Sequence, residues 1–346
     1  MPMRLDDPAF DATDATARDA LLLEALRRQI AFMRATVPFW RERLAALAVD
    51  EATVETMSDL ARFPILSKEE LRALRPAALL PDEGLSDLVV CRWTSGTSGR
   101  PTVSFWSHTD WAALVAATAR MLVRQAPMPE PAVFNGYNQG HLTGPLYDAA
   151  LRRLGGVVYD RSHHPEESFP TLAQMDLFDF DTLVLPERAQ RGKGIGLADL
   201  LRDNPNVLAR HGVRWWIGSS GTFDAESRAV VREQGVESVS NLYGASEFGL
   251  FAMSCTKTPG DFHIAQGHVL VEVVDRSGAP VQNGRSGRIV VTHLCGMEDT
   301  GQAAIHRGTQ ILRLAGGDGA TLLTDPCDCG LTAPRLRDVR RLAAVR

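Results

Sequence analysis

From about residue 88 onward, short apolar segments alternate with segments of helical periodicity, and this alternation constrains the fold more than any other feature. The predicted strands are Val89–Trp93, Val103–Trp106, Val157–Tyr159, Thr182–Leu185 and Val213–Ile217, and the helices between them include Trp111–Arg124 and Leu197–Arg202. Such alternation is typical of α/β proteins, in which helices cover a sheet that contains parallel strands. The sequence therefore predicts an α/β fold with mixed sheets flanked by helices.

The two ends of the chain have different patterns. The first segment is helical in character, with apolar residues at helical spacing and a capping-box pattern at Ser67 and Glu70. Beyond residue 265 helical patterns nearly vanish, and the predicted strands are His268–Val274, Arg288–His293, Ile311–Leu314 and Thr321–Leu323. We therefore predict an N-terminal helical segment (1–85), an α/β core (86–264) and a small β-rich subdomain (265–346) that ends in a solvated basic tail, Arg335–Arg346.

Composition excludes several classes of partner. The chain has 346 residues, a net charge of −5 and a pI near 6.0, so nothing in it indicates binding to nucleic acid or to an anionic membrane. No apolar run is long enough to span a bilayer, and the N-terminus has no apolar signal-peptide segment. Five cysteines do not make a disulfide scaffold in a chain of this length, so a cytoplasmic location is expected.

The segment Thr94–Thr102, TSGTSGRPT, is rich in glycine and hydroxyl side chains and follows a predicted strand. Glycine lets the backbone approach a ligand closely, and successive free N–H groups with hydroxyls suit an anion. The pattern predicts a phosphate-binding loop, although it lacks the Gly-Lys-Ser/Thr ending of the common NTPase loop. A flexible Ser/Gly linker is the alternative, which the flanking apolar segments make less favourable.

Three further segments carry candidate site residues. Within Asn241–Gly249, the Glu247 carboxylate could hold magnesium beside nucleotide phosphates, and Tyr243 offers an apolar face to a base or an aromatic substrate. Gly218–Thr222 follows a predicted strand, a place where small residues line ligand crevices. Asp318 lies between glycines and could accept hydrogen bonds from a ribose diol, although an Asp-Gly pair is more often a hairpin turn.

Three cysteines and one histidine form a candidate metal set: Cys255, His263, Cys327 and Cys329. Three Cys and one His is a common ligand set for structural zinc. The spacing is looser than in a zinc finger, so on the residues alone unrelated free thiols are an open alternative.

These segments occur in the order found in the adenylate-forming superfamily of acyl-CoA ligases and adenylation domains. Thr94–Thr102 resembles its phosphate loop, Tyr243–Glu247 its Tyr-Gly-x-Ser/Thr-Glu motif, and Asp318 its ribose-binding aspartate. More specifically, the chain resembles the phenylacetate-CoA ligase branch. The residues that carry this closer resemblance are VPFWRERL (37–44), DLARFPILSKEEL (59–71), SGTSGRPT (95–102), where most of the superfamily has Lys at the position of Thr102, and PCDCG (326–330).

The resemblance implies that a substrate carboxylate attacks the α-phosphate of ATP, pyrophosphate leaves, and an acyl-adenylate remains. It implies that Glu247 holds magnesium and is catalytic together with Thr97. The implied nucleotide-binding residues are Thr94, Ser95, Gly96, Thr97, Ser98, Gly99, Ser219, Ser220, Gly221, Tyr243, Gly244, Ser246, Glu247 and Asp318. The implied acid pocket is Tyr137, Asn138, His141, Ser219, Gly244, Ala245 and Phe248. Similar Cys/His positions bind zinc in some phenylacetate-type ligases, which favours a structural zinc at Cys255, His263, Cys327 and Cys329.

The chain also departs from the family pattern. Full-length members continue into a hinge and a small C-terminal domain with a catalytic lysine, whereas this sequence stops at Arg346 and has no lysine after Lys257. We therefore expect the C-terminal domain to be absent, as in shortened members of aromatic natural-product pathways such as the biosynthesis of phenazine antibiotics.

Three hypotheses about function follow. The first is ATP- and magnesium-dependent adenylation of an aromatic or other small carboxylic acid in secondary metabolism, with the activated acid passed to a downstream pathway enzyme. The second is an acyl-CoA ligase completed by a separate C-terminal domain. The third is a nucleotide- or acyl-adenylate-binding protein without turnover. Homodimers are common in this branch, although the sequence itself does not indicate an oligomeric state.

Overall fold

The computed structural model describes residues 8–93, 101–160, 171–188, 196–219, 225–265, 267–294 and 304–342. The N-terminal segment contains the predicted helices α1 (Ala15–Thr36), α2 (Pro38–Ala46) and α3 (Lys68–Ala73), with 3₁₀ turns at Pro8–Ala12, Glu51–Thr53, Met57–Arg62 and Pro76–Leu79. The Asp14 side chain caps α1 by accepting hydrogen bonds from N–H groups of its first turn. The predicted capping box is confirmed, because Ser67 Oγ accepts from Glu70 N–H and the Glu70 carboxylate accepts from Ser67 N–H.

The other helices and the strands complete the α/β architecture. The strands are β1 (Leu66–Ser67), β2 (Leu88–Trp93), β3 (Val103–Ser107), β4 (Ala132–Asn135), β5 (Val157–Asp160), β6 (Thr182–Val184), β7 (Trp215–Ser219), β8 (Ser238–Ala245), β9 (Gly249–Ser254), β10 (Phe262–Ile264), β11 (Val269–Val274), β12 (Ser286–His293), β13 (Leu314–Leu323) and β14 (Arg335–Arg341). The helices are α4 (His108–Gln125), α5 (Thr143–Arg153), α6 (Thr171–Met175), α7 (Leu197–Asp203), α8 (Val207–Arg210) and α9 (Ala225–Glu233). Among the helices of the described residues, none combines the length and apolar character that crossing a membrane requires.

One large mixed sheet organises the described residues. Its order is β11-β12-β13-β14-β10-β9-β8-β7-β6-β4-β5, with β1 added in parallel to β13. The half from β5 to β8 is parallel and the half from β8 to β11 is antiparallel. Helices α4 and α5 pack on the parallel half and on β9, whereas α1 and α2 pack on the antiparallel half, burying Leu22, Leu26, Ile30 and Met33. The predicted α/β fold with a mixed sheet is confirmed.

The sheet is continuous across residue 265. Strand β10 pairs with β14, and β14 pairs with β13, so the β-rich end joins the core through main-chain hydrogen bonds. The division into subdomains stays a prediction. Strands β2 and β3 form a separate antiparallel hairpin. The predicted strand Val213–Ile217 is shifted by two residues, to Trp215–Ser219.

The predicted strand Ile311–Leu314 is wrong. Strand β13 begins at Leu314 and runs through Asp318 to Leu323, so the segment around Asp318 is extended and is not a hairpin turn. Arg313 has φ of 51°, a left-handed conformation at which an extended strand does not continue. Its guanidinium is held by the Glu272 carboxylate and the Gly278 carbonyl.

The prediction of a solvated basic tail is also wrong for Arg335–Arg341, which forms β14 inside the sheet. Two of its arginines converge on the buried Asp261, with Arg337 Nε 2.7 Å from Asp261 Oδ1 and Arg335 Nη1 3.3 Å from Asp261 Oδ2. Leu336 between them is fully buried. A buried carboxylate needs such partners, so the arginines are structural.

His268, just before β11, makes the stability of the fold sensitive to acid. Its Nε2–H donates to the Leu250 carbonyl at 2.9 Å, and its Nδ1 has no partner among the described residues. Burial lowers the pKa of His268 to about 3, because a proton on Nδ1 would bury a charge. The unfolded chain takes up this proton below about pH 6.5, so stability falls by up to about 1.4 kcal/mol per pH unit from there down to the folded pKa.

We expect His268→Gln to reduce this acid sensitivity, since glutamine keeps an N–H donor and does not titrate. The measurement is the melting temperature of both proteins between pH 7 and pH 5. An equal decline in the two proteins would contradict the assignment.

Candidate functional site

Glu247 lies in the short turn between β8 and β9 and is buried, with 2% of its surface exposed. Its Oε1 accepts a hydrogen bond from Thr102 Oγ1 at 2.9 Å and lies 3.2 Å from Lys68 Nζ. Thr102 closes the segment predicted to bind phosphate. A buried carboxylate is tolerated because these two groups compensate its charge. The structure therefore places a negative oxygen, a cation and the hydroxyl of Thr102 together.

Two glycines allow this turn to be tight. A Cβ on Gly244 would lie 2.0 Å from the Gly249 carbonyl oxygen, and Gly249 has φ of 80°. The register between β8 and β9 shifts between Tyr243 and Gly244. Any larger side chain at Gly244 would push the strands apart and move Glu247.

Lys68 is a site residue that the sequence analysis missed. It is the first residue of α3 and lies directly after β1, which pairs in parallel with β13 through Leu66 with Leu314 and Ser67 with Ala315. This pairing joins segments about 250 residues apart and brings the lysine to Glu247. The only local signal was the capping box, which indicates a helix start and nothing about a ligand.

Asp318 lies on β13, with both carboxylate oxygens engaged. Oδ2 accepts from the Tyr243 hydroxyl at 2.9 Å, and Oδ1 lies 3.0 Å from Arg341 Nη1. Burial, together with the Asp318 charge, raises the pKa of Tyr243, so its hydroxyl stays a donor. The structure thus brings together two residues predicted to bind one nucleotide. A ribose diol at Asp318 has to replace Arg341 or share the carboxylate with it.

Two buried tyrosines surround Ser219, at the C-terminal end of β7. The Tyr137 hydroxyl donates to the Ser219 carbonyl at 2.6 Å and accepts from Ser219 N–H at 2.6 Å. The ring of Tyr147 lies 5.4 Å from that of Tyr137, and burial raises the pKa of Tyr147 well above its usual value. Tyr147 was not predicted, because its position on α5 looks like ordinary helix packing. These groups form a polar cluster inside an aromatic environment.

The other predicted residues are distributed around this region. Asn138 Oδ1 accepts from Gly140 N–H at 2.7 Å, and the backbone N–H of His141 donates to the Asn138 carbonyl, so these residues form a local turn. Phe248 is buried in the core beneath the N-terminal helices, while Ala245 and Ser246 are half-buried on the Glu247 turn. The remaining predicted residues lie outside the described residues: Thr94, Ser95, Gly96, Thr97, Ser98, Gly99, Ser220 and Gly221.

The structure brings the four predicted metal ligands close to one another. The ligand atoms of Cys255, His263, Cys327 and Cys329 all lie within 4.8 Å of one another. Cys255 Sγ is 3.5 Å from Cys327 Sγ, and Cys329 Sγ is 3.2 Å from His263 Nε2. Tetrahedral zinc with these ligands separates neighbouring donors by about 3.4–3.8 Å, and the two separations above lie close to that range, so the four residues are a plausible ligand set for zinc.

The tautomer of His263 also suits a metal. Its Nδ1–H donates to the Ala333 carbonyl at 3.0 Å, which leaves the Nε2 lone pair facing the thiols. Burial lowers the pKa of His263, so the ring is neutral, as a ligand must be. The four residues come from the end of β9, from β10 and from the loop between β13 and β14.

Similar proteins of known identity share both sequence and fold with this chain. A phenylacetate-coenzyme A ligase of Thermus thermophilus is 30% identical over 330 residues, which cover 92% of this chain and 68% of that protein. The corresponding ligase of Pseudomonas putida is 28% identical, covering 84% of this chain and 66% of that protein. The chain thus spans about two thirds of the length of these relatives. No protein-family model matches it.

Among solved structures, 2-hydroxyisobutyryl-CoA ligase in complex with 2-HIB-AMP and CoA superposes with a TM-score of 0.81 at 20% identity, covering 97% of this chain and 71% of that one. An open conformation of the same ligase gives a TM-score of 0.78 at 21% identity, covering 95% of this chain and 75% of that one. This likeness shows that the chain shares the fold of that ligase.

Proposed function

Because the chain belongs to the phenylacetate-coenzyme A ligase family, we propose that it adenylates a carboxylic acid with ATP and magnesium and releases pyrophosphate. The observation that carries the proposal is the buried Glu247 carboxylate held between Thr102 and Lys68. A metal-binding carboxylate and a cation beside a phosphate loop are what phosphoryl chemistry requires.

Each group has a separate task in this reaction. Glu247 would hold Mg²⁺, which when bound neutralises charge on the phosphates. Lys68 places a second cation beside that carboxylate, and Asp318 accepts hydrogen bonds from the ribose. An oxygen of the acid forms a bond to the α-phosphorus while the bond to pyrophosphate breaks. The protein contributes mainly positioning and charge compensation.

The side chains around Ser219 support an aromatic or other small acid. Tyr137, Tyr147 and Ser219 form a polar cluster within aromatic rings. Aromatic rings offer large apolar surfaces, and hydroxyls fix the orientation of a substrate.

The test is ATP–pyrophosphate exchange over a panel of aryl and short aliphatic acids. We expect exchange that requires both an acid and Mg²⁺. If ATP binds but no acid supports exchange, the chain is a nucleotide-binding protein without turnover.

Lys68→Met is expected to reduce exchange by about 10- to 100-fold, since the cation that holds the Glu247 carboxylate is lost. Lys257→Met, which removes an exposed lysine, is the control and should retain full exchange. Lys68→Arg should recover part of the loss. Equal exchange rates of the two methionine variants would show that Lys68 has no role in the reaction.

A basic cleft favours a second candidate function, acyl transfer to CoA. A cleft of about 1000 Å³ adjoins Lys68 and Arg341. The charged residues that line it are Lys68, Arg72, Arg276, Arg288, Arg340 and Arg341 against Glu69 and Asp275. This excess of positive charge suits the phosphates of CoA.

Thioester formation on addition of a separate lysine-bearing domain would support this candidate. Arg288→Glu should then weaken CoA binding while leaving pyrophosphate exchange intact, and Arg232→Glu on α9 is the matched control. If Arg288→Glu forms thioester as well as the control does, the cleft has no role in binding CoA.

The Cys255, His263, Cys327 and Cys329 cluster we assign to a structural zinc. Four protein ligands leave no open position, so the ion would be structural and would not take part in the reaction. It would tie the loop between β13 and β14 to the strands that follow Glu247.

A further inference from the structure

A row of buried polar side chains runs from the start of α4 to the Glu247 turn. Its members are Asp110, His306 and His293, each at most 3% exposed. The proposed adenylation reaction uses none of these three side chains. Nothing in their sequence spacing links them, because they come from α4, from β12 and from the loop before β13.

The side chain of His293, the last residue of β12, contacts the main chain of the turn that carries Glu247. His293 Nε2 lies 2.9 Å from the Glu247 carbonyl oxygen, and Nδ1 lies 2.7 Å from the Thr309 carbonyl oxygen. The Phe248 ring packs edge-on against the imidazole, with centroids 4.9 Å apart. A neutral imidazole carries one N–H, so the ring donates to one of these two carbonyls and packs against the other, which places it between the turn and the loop before β13.

The far side of His293 is also fixed. The His306 ring stacks on it with centroids 4.2 Å apart, and His306 Nδ1 lies 3.3 Å from Asp110 Oδ1. The Asp110 carboxylate accepts hydrogen bonds from Arg307 N–H at 3.0 Å and Gly308 N–H at 2.7 Å, which are next to Thr309. It also accepts from Ser107 N–H, so the row is anchored in the first turn of α4.

We infer that His293 is a positioning residue for the reaction, one that holds the main chain of Glu247 so that its carboxylate keeps the orientation that binds Mg²⁺. This inference rests on the proposed function, because it assumes that Glu247 is the metal ligand. Groups that orient a metal ligand typically contribute about 10- to 100-fold to metal affinity. Simple core packing is the competing explanation.

Two variants separate the two contacts of His293. The amide of His293→Asn has the reach of Nδ1, so it can keep the contact with Thr309 but loses the contact with Glu247. The amide of His293→Gln has the reach of Nε2 and can keep the contact with Glu247. His268→Asn is the control, because His268 Nε2 makes the same 2.9 Å contact to a carbonyl, that of Leu250 in β9.

The experiment is the Mg²⁺ concentration that gives half-maximal pyrophosphate exchange, with the melting temperature measured in parallel. We expect His293→Asn to raise that concentration about 10- to 100-fold and saturating Mg²⁺ to restore most of the rate. His293→Gln and His268→Asn should stay within a few-fold of the original protein even if their melting temperatures fall.

The inference is overturned if His293→Asn and His293→Gln require the same Mg²⁺ concentration, or if His268→Asn shifts it as much. If His293→Asn does not fold, His293→Gln is measured alone. A half-maximal Mg²⁺ concentration equal to that of the unmodified protein supports the inference, and one raised tenfold or more overturns it. Absence of exchange in the unmodified protein is a different result, because it removes the proposed function itself.

Discussion

Glu247→Gln is expected to lower acid-dependent pyrophosphate exchange by about 10²- to 10³-fold, the range seen when one preorganised charge-stabilising group is removed. The glutamine can still accept the hydrogen bond from Thr102 but no longer carries the charge that pairs with Lys68 and would bind Mg²⁺. The dependence of ATP binding on Mg²⁺ should weaken as well. The measurement is exchange at several Mg²⁺ concentrations, together with calorimetric ATP binding.

Glu237→Gln is the matched control for this prediction. Glu237 forms a surface salt bridge with Arg214 and lies just before β8, at the opposite end of that strand from the turn, so the same substitution there should leave exchange intact. If Glu247→Gln keeps the full rate and the same Mg²⁺ dependence, the metal-binding role of Glu247 is wrong.

Removing the proposed zinc is expected to have the second large effect. The ligand set joins β9, β10 and the loop after β13, so losing the ion frees three segments at once. We expect the purified protein to contain about one zinc per chain and Cys329→Ser to lose it. The melting temperature should fall by roughly 5–10 °C, which corresponds to a few kcal/mol in a chain of this size.

The control for zinc is Cys91→Ser, because Cys91 is an exposed thiol on β2 outside the cluster. That variant should keep both the metal and the melting temperature. A protein that contains no zinc, or a Cys329→Ser variant as stable as Cys91→Ser, would show that the four residues do not form a structural metal site.

Short-range patterns predicted much of the fold. The alternation after residue 88 predicted β5, β6 and β7 of the parallel half but missed β4 between β5 and β6, and Ser67 with Glu70 predicted the start of α3. The same patterns failed for Arg335–Arg341, where a run of arginines looks solvated but is paired with the buried Asp261. They also failed at Arg313, where a left-handed backbone interrupts the predicted strand Ile311–Leu314.

The candidate site likewise contains residues that the sequence predicted and residues that it did not. Glu247, Asp318 and the cysteines could be named because each lies in a short motif. Lys68 could not, because it reaches Glu247 only through the pairing of β1 with β13. His293 contacts the Glu247 turn through a carbonyl group, and such a contact leaves no trace in residue type.

The central claim is that this chain joins a carboxylate to the α-phosphate of ATP. The most direct measurement uses an acid that supports exchange, with ¹⁸O in its carboxylate, followed by mass spectrometry of the AMP released when the adenylate hydrolyses. Attack of the carboxylate on the α-phosphorus leaves one acid oxygen on the phosphate, so AMP should carry one ¹⁸O. AMP without ¹⁸O, or ADP in its place, would contradict the account.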